Sequence, residues 1–276
     1  MTEKRVGLVI GNNYPEWDTE KQLKFAVADA EKMMEILENK DICEFDEVIY
    51  LPDRTSKEVL KEVEKIFKRP DIDLVFIYFS GHGKKDYEDD LCLLLSDTED
   101  DALLSTSLTF EFINKCIRYP SRKSVIVVLD CCYSGSAKLK DRDPDVMDIF
   151  KKSSGLGTII LTSTGLMGSP KAKEDEELGH GIFTNYLIEG LEKGYADDGN
   201  GRISIDELFN YTSKKMEERG CLQFPKREGR IEGTIFIGKN PLKIRENEYH
   251  SKTDNLVKEF GARLPPRILR ARYEIT

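Results

Sequence analysis

The stretch at 124–135, S-V-I-V-V-L-D-C-C-Y-S-G, constrains this chain more than any other. Apolar and β-branched residues run without interruption, then break into Asp130, two cysteines, a tyrosine and a Ser-Gly turn. An apolar run of that length, bounded by turn residues, reads as a strand buried on both faces, as in a parallel sheet. In an open α/β sheet, sites form in the crevice beyond the carboxyl ends of the strands. A thiol there stands on rigid backbone and can still reach a substrate.

A second strand of this kind, 73–79, runs into Ser80-Gly81-His82-Gly83. A thiol must become a thiolate to attack a carbonyl, and an adjacent imidazole achieves this near neutral pH. Two strand ends carrying His82 and Cys132 supply both groups. Residues 6–11 read as the first strand. Apolar positions 23, 26, 27, 30, 33, 34 and 37 then predict a helix over 23–37. A strand at 48–51 follows, and Thr55 with Glu58 makes a capping box for a helix reaching residue 67. Further helices are expected over 108–118 and 182–193, a hairpin with one apolar face around 91–95, and strands at 157–163 and 233–238, the last at an edge of the sheet. This alternation predicts an α/β fold: a three-layer αβα sandwich around a mostly parallel central sheet of about six strands.

With 276 residues, 39% of them apolar, the chain can bury the core of one large domain. That domain is expected over 1–240. Beyond Asn240-Pro241 an extension, 241–276, holds only a short amphipathic segment at 256–260 and a basic run at 267–272. It is expected either to pack back on the domain or to dock a regulatory protein partner. A net charge of −9 argues against a nucleic-acid or anionic-membrane binder, since both need a basic surface. The apolar run at 6–10 is too short for a signal-peptide core, and no segment approaches the roughly 18 apolar residues of a spanning helix. Six scattered cysteines, two of them sequence neighbours, do not make a disulfide framework and fit a reducing cytoplasm.

S-G-H-G after one apolar strand and D-C-C-Y-S-G after another resemble the motifs of the caspase-like cysteine peptidases. The likeness is to metacaspase-type and prokaryotic caspase-homologue members more than to animal caspases, and it extends over residues 5–240. It implies a caspase-like sandwich and a cysteine endopeptidase with a Cys-His dyad. Cys132 would attack the scissile carbonyl. His82 would generate the thiolate or protonate the leaving amine, and the backbone N–H groups of Gly83 and Cys132 would cradle the oxyanion. Cys131 suits the nucleophile's role less, because neighbouring strand residues face opposite ways and the motif places its nucleophile at 132. Tyr133 stands where the family pattern often has histidine. His180, in G-H-G-I-F-T, is the rival base, but it precedes a helix instead of ending a buried strand.

Asp29 falls among the apolar positions of the first helix, either as an exposed helix-face carboxylate or as a group turned inward. The resemblance implies the second, with Asp29, Ser80 and Asp130 forming an acidic pocket that accepts Arg or Lys of a protein substrate. Asp130 lies two residues before Cys132, so the two share a strand face. The Q-A-C-x-G motif of the Asp-directed caspases is absent. The family's activation cleavage falls in the loop after the nucleophile, here 137–154, which makes Lys138, Lys140, Arg142, Lys151 and Lys152 the candidate self-cleavage sites. No cofactor is expected to be required and no metal ligands are assigned. Calcium, which metacaspases often need, has two acidic segments to consider. One is 97–101; the other, 197–207, resembles an EF-hand loop but carries Ala196 at the first ligand position. The alternatives are a latent or inactive caspase-fold scaffold gated by a partner, a thiol enzyme acting on small molecules, for which no glycine-rich phosphate loop is present, and a zinc site built from His82, Cys131, Cys132 and His180, which lacks ligand spacing.

Overall fold

The computed structural model describes residues 3–88, 90–119, 123–133, 157–163, 174–221, 225–230 and 232–244. Along the chain, β1 (Arg5–Gly11), α1 (Ala26–Glu38), β2 (Glu47–Pro52), α2 (Ser56–Lys68) and β3 (Leu74–Lys85) alternate as their apolar periods require. A short β4 (Leu91–Leu94), a helical turn α3 (Leu103–Thr106) and β5 (Ser107–Thr109) lead into α4 (Phe110–Ile117), β6 (Ser124–Tyr133) and β7 (Thr158–Thr162). Then come β8 (Glu174–Asp175), β9 (His180–Gly181), α5 (Ile182–Glu192), β10 (Arg202–Ser204), α6 (Ile205–Glu218), β11 (Lys226–Arg230) and β12 (Phe236–Lys239).

The main sheet runs in the order β11-β7-β6-β3-β1-β2. All neighbours from β7 to β2 are parallel, and β11 lies antiparallel on the outside of β7. Alternate strand residues feed two separate cores. On β3, Val75, Ile77 and Phe79 join the core under α2 and α4, whereas Phe76 and Tyr78 join the one under α1, α5 and α6. Each fully buried apolar side chain contributes about 1.5–3 kcal/mol, so uninterrupted apolar runs are what place β1, β3 and β6 at the centre. Gly11 brings the first helix close: a Cβ there would lie 2.4 Å from the Ala26 carbonyl oxygen and 2.7 Å from Ala30 Cβ. With no side chain in the way, α1 lies against β1.

Helix starts are settled by caps, some of them distant in sequence. At α2 the expected box is present, with Thr55 N–H donating to Glu58 Oε2 at 3.0 Å. The Asp97 carboxylate adds two acceptors, taking Ser56 N–H at 2.6 Å and Ser56 Oγ at 2.9 Å. The helix predicted from residue 23 begins instead at Ala26. Lys24 and Phe25 N–H groups donate to the Glu174 carboxylate at 2.8 and 2.7 Å, and Val27 N–H donates to Asn13 Oδ1 at 3.0 Å. Side chains from outside the helix therefore hold the two residues that lead into it and satisfy the free Val27 N–H of its first turn.

Three expectations need correction. His82 does not end its strand, because β3 continues through it to Lys85, with Gly83, Lys84 and Lys85 paired antiparallel to β4. The 91–95 segment has two covered faces, not one: Leu91, Leu93 and Leu95 enter one core, while Cys92 and Leu94 pack with Tyr14. The strand expected at an edge of the sheet, β12, instead pairs with β10 in a separate two-stranded sheet. The edge is held by β11, Lys-Arg-Glu-Gly-Arg, a charged segment with no apolar period to betray it. Charge suits that place, since an exposed edge strand with charged side chains resists pairing with a second sheet. Residues 241–244 form a last helical turn with Pro241 buried, and the rest of the extension lies outside the described residues.

Candidate active site

Parallel pairing of β3 with β6 assembles the site. Ser80 lies opposite Asp130, His82 opposite Cys132, and Gly83 opposite Tyr133. Cys131 is fully buried with the core under α2 and α4. Gly83 stands between two strands, opposite Leu93 of β4 as well as Tyr133 of β6.

His82 is fixed through both its backbone and its ring. Its N–H donates to the Tyr14 hydroxyl at 2.7 Å, and that hydroxyl donates onward to the Leu94 carbonyl at 2.9 Å. The Tyr14 ring stacks on the imidazole with centroids 4.8 Å apart, and Trp17 extends the stack on Tyr14 at 4.4 Å. Tyr14 takes a left-handed backbone (φ 57°), held by Asp53 Oδ1, which accepts its N–H at 3.1 Å and that of Asn13 at 2.8 Å. The glycine before His82 has a steric cause, since a Cβ on Gly81 would lie 2.6 Å from the Tyr14 hydroxyl. The imidazole Nε2 lies 2.7 Å from the Lys21 carbonyl oxygen. A carbonyl only accepts, so Nε2 carries the hydrogen, and in the neutral ring Nδ1 is the nitrogen with a lone pair. Burial pushes His82 below the usual histidine range against the opposing pull of the Lys21 carbonyl, which keeps the ring neutral near pH 7. The ring is thereby prepared as a proton acceptor.

Asp29, Ser80 and Asp130 line one pocket together with Leu23, Ala26, Gly81, Glu174 and Gly181. Asp29 is buried, so the inward reading of that helix position holds. Asp130 is bound firmly: Ser163 Oγ donates to Oδ1 at 2.8 Å, and Thr184 donates to Oδ2 through its hydroxyl at 2.6 Å and its N–H at 3.2 Å. Tyr78 backs this chain with its hydroxyl 2.6 Å from that of Thr184. Asp29 receives His180 Nδ1 at 2.7 Å, Gly181 N–H at 3.1 Å and Ser80 Oγ at 3.4 Å. Desolvation, reinforced by Asp130, raises the Asp29 carboxyl to about 6 against the hydrogen bond from His180. Burial likewise pushes Asp130 up, opposed by its bonds from Thr184 and Ser163. Two desolvated carboxylates thus face one small cavity.

Tyr14, Trp17, Glu174, Ser163 and Thr184 were not found from the sequence, and His180 was considered there only as a base or a zinc ligand. Each acts through a partner far along the chain: His180 and Asp29 are 151 positions apart. The candidate cleavage residues Lys138, Lys140, Arg142, Lys151 and Lys152 lie outside the described residues.

Of the two acidic segments weighed for calcium, 97–101 has Asp97 capping α2 and Asp100 paired with Lys84 at 2.8 Å. In the other, Asp197, Asp198 and Glu207 converge. The Asp197 carboxylate already accepts from Gly199 N–H at 3.0 Å, Gly201 N–H at 2.9 Å and Asn240 Nδ2 at 2.9 Å, with Lys243 Nζ 3.5 Å away. Glu207 serves Ser204 as a capping partner, accepting its N–H at 2.6 Å. These oxygens hold the loop and the start of α6, and a lysine supplies the positive charge, so the residues do not fit a dedicated calcium site.

The caspase-domain family model matches residues 4–233. The chain belongs to the caspase-domain family. Solved structures agree on its fold. A protein from Geobacter sulfurreducens superposes with a TM-score of 0.55 at 20% identity, covering 83% of this chain and 94% of that one. Caspase-1 from Spodoptera frugiperda superposes with a TM-score of 0.58 at 15% identity, covering 86% of this chain and 92% of that one. No curated protein matches the sequence. The caspase fold accounts for the mostly parallel sheet between helical layers and marks the chain as a member of a cysteine-peptidase family. Among the described residues no helix is long and apolar enough to cross a membrane.

Proposed function

We propose that this caspase-domain protein is a cysteine endopeptidase of the metacaspase type that cleaves proteins after Arg or Lys. The observation that carries the reading is the convergence of Asp29 from α1 with Ser80 and Asp130 on one pocket, the last two being partners on the strand ladder that also pairs His82 with Cys132. In this reading the arginine or lysine side chain enters the pocket and meets the two carboxylates, which hold the scissile carbonyl over Cys132. His82 accepts the thiol proton at Nδ1, with Nε2–H tied to the Lys21 carbonyl, and then returns a proton to the leaving amine. Gly83 and Cys132 N–H groups receive the oxyanion.

Self-cleavage at the basic residues of 137–154 belongs to this proposal, since the same pocket would accept Lys138, Lys140, Arg142, Lys151 or Lys152. Action in the cytoplasm, without a required cofactor, on protein substrates and under a protein regulator bound through 241–276, completes it. The deciding experiment compares fluorogenic peptides ending in Arg, Lys or Asp, with and without calcium, for the parent and Cys132→Ala. Turnover of Arg or Lys peptides alone, lost in the variant, is expected. Cleavage after Asp would refute the pocket assignment, and absence of turnover by folded protein would favour the latent scaffold.

A further inference from the structure

We propose that His180 is a positioning residue of the acidic pocket, whose Nδ1–H holds Asp29 Oδ1 so that Oδ2 is presented as a charged oxygen to the substrate's cation. The inference rests on the reading that the pocket receives Arg or Lys.

The two carboxylates are supported unequally. Asp130 has three donors, Ser163 Oγ and the hydroxyl and N–H of Thr184, none longer than 3.2 Å. Asp29 has one short donor, His180 Nδ1 at 2.7 Å, beside the longer contacts from Gly181 N–H at 3.1 Å and Ser80 Oγ at 3.4 Å. The Asp29 side chain is 2% exposed and that of His180 24% exposed, so the bond is largely shielded from water. A Cβ on Gly181 would meet Asp130 Oδ2 at 2.6 Å and Asp29 Oδ2 at 3.1 Å, so both Oδ2 atoms border the same small space. Two desolvated carboxylates so close share a proton unless donors keep each one ionised. On Asp29 that work falls to His180. The β8–β9 hairpin holds it there, with Asp175 opposite His180 and Asp175 anchored by Arg219 at 2.5 Å.

The titratable and charged groups around this pair come from β6, β3, β8 and the segment ahead of α1. Asp130 faces it from β6 and Tyr78 from β3. Glu174 and Asp175 face it from β8, and Glu174 also reaches His82. Lys24, ahead of α1, is occupied by Glu176. Asp130, with its full set of donors, is the neighbour that most opposes a charge on Asp29.

The test measures KM and kcat for an arginine peptide between pH 5.5 and 8 in the parent, His180→Ala, His180→Asn and Asp29→Asn. Parent KM is expected to rise as pH falls through about 6. Losing a hydrogen bond to a carboxylate raises its acid limb by about one pH unit, so His180→Ala should raise KM about fivefold at pH 6 and only about 1.1-fold at pH 8. The change should reside in KM, not kcat. His180→Asn, whose amide N–H replaces Nδ1–H, should restore the parent profile. His180→Leu, which fills the space without a donor, replaces the alanine variant if that one fails to fold. An acid limb unmoved by loss of the donor, or an equal KM change at both pH values, overturns the proposal while Asp29→Asn still raises KM. If Asp29→Asn leaves KM unchanged, or the parent turns over no arginine peptide, the reading of the pocket fails and this inference with it.

Discussion

His82 and Cys132 are register partners on adjacent parallel strands, and the Ser80–Asp130 pair stands two residues earlier on the same ladder. Parallel strands lie about 4.8 Å apart, so the candidate base and nucleophile are neighbours through backbone pairing alone. Mutating either should leave the sheet intact. Cys132→Ala is expected to abolish turnover of Arg and Lys peptides with a parental melting temperature, and His82→Ala to lower kcat by about 10²–10⁴ in a protein that still folds, less stable only by the lost Tyr14 stacking and Lys21 hydrogen bond. A His82→Ala variant of near-normal kcat would remove His82 from the mechanism.

Tyr14 joins three elements: the His82 N–H, the Leu94 carbonyl and the imidazole face. Tyr14→Phe keeps the stacking but leaves a donor and an acceptor unmatched. It should cost about 1–3 kcal/mol of stability in denaturant titrations and lower kcat more than it raises KM. A variant with unchanged stability and kcat would show that the hydroxyl does not hold the base.

Asp29 carries a stability signature. Its carboxyl is raised from the usual 3.8 to about 6, so the folded state holds a proton that the unfolded chain releases. The stability this contributes is fully present below pH 3.8 and is lost as pH rises through about 6. The parent should therefore lose stability relative to Asp29→Asn between pH 4 and pH 6.5, by on the order of 3 kcal/mol at most. Parallel stability curves for the two proteins would contradict the raised value.

Gly181→Ala tests the pocket from its floor. The added methyl would lie 2.6 Å from Asp130 Oδ2, an oxygen fixed by Thr184, so backbone or carboxylate must move. KM for Arg peptides should rise at least about fivefold, since a displacement of this kind in a packed site costs about 1–3 kcal/mol. The Cys132 thiol should keep its parental rate of alkylation. An unchanged KM would move the cation site elsewhere.

The parts of this molecule that could be read from its sequence are those whose physics is local. The apolar runs of β3 and β6 and the Thr55–Glu58 box each follow from a period or a short spacing, whereas the inward place of Asp29 came from the family resemblance and not from the helix period. Features that depend on distant partners were silent. Glu174 caps α1 from about 150 residues away, β11 hides as a charged segment at a sheet edge, and His180 looks like a candidate base until Asp29 is found beside it. The length of β3 beyond His82 was equally hidden, because Gly83-Lys84-Lys85 owes its extended form to β4 and not to its own residues.

The acceptor that sets the His82 tautomer is a main-chain oxygen. Every amino acid supplies the same carbonyl at position 21, so this part of the site is written in the path of the chain and not in its alphabet. A single-substitution scan would score Lys21 as dispensable. Shortening or lengthening the 12–25 loop by one residue, with every named side chain kept, would remove the oxygen from the ring and expose a dependence that no replacement of letters can reveal.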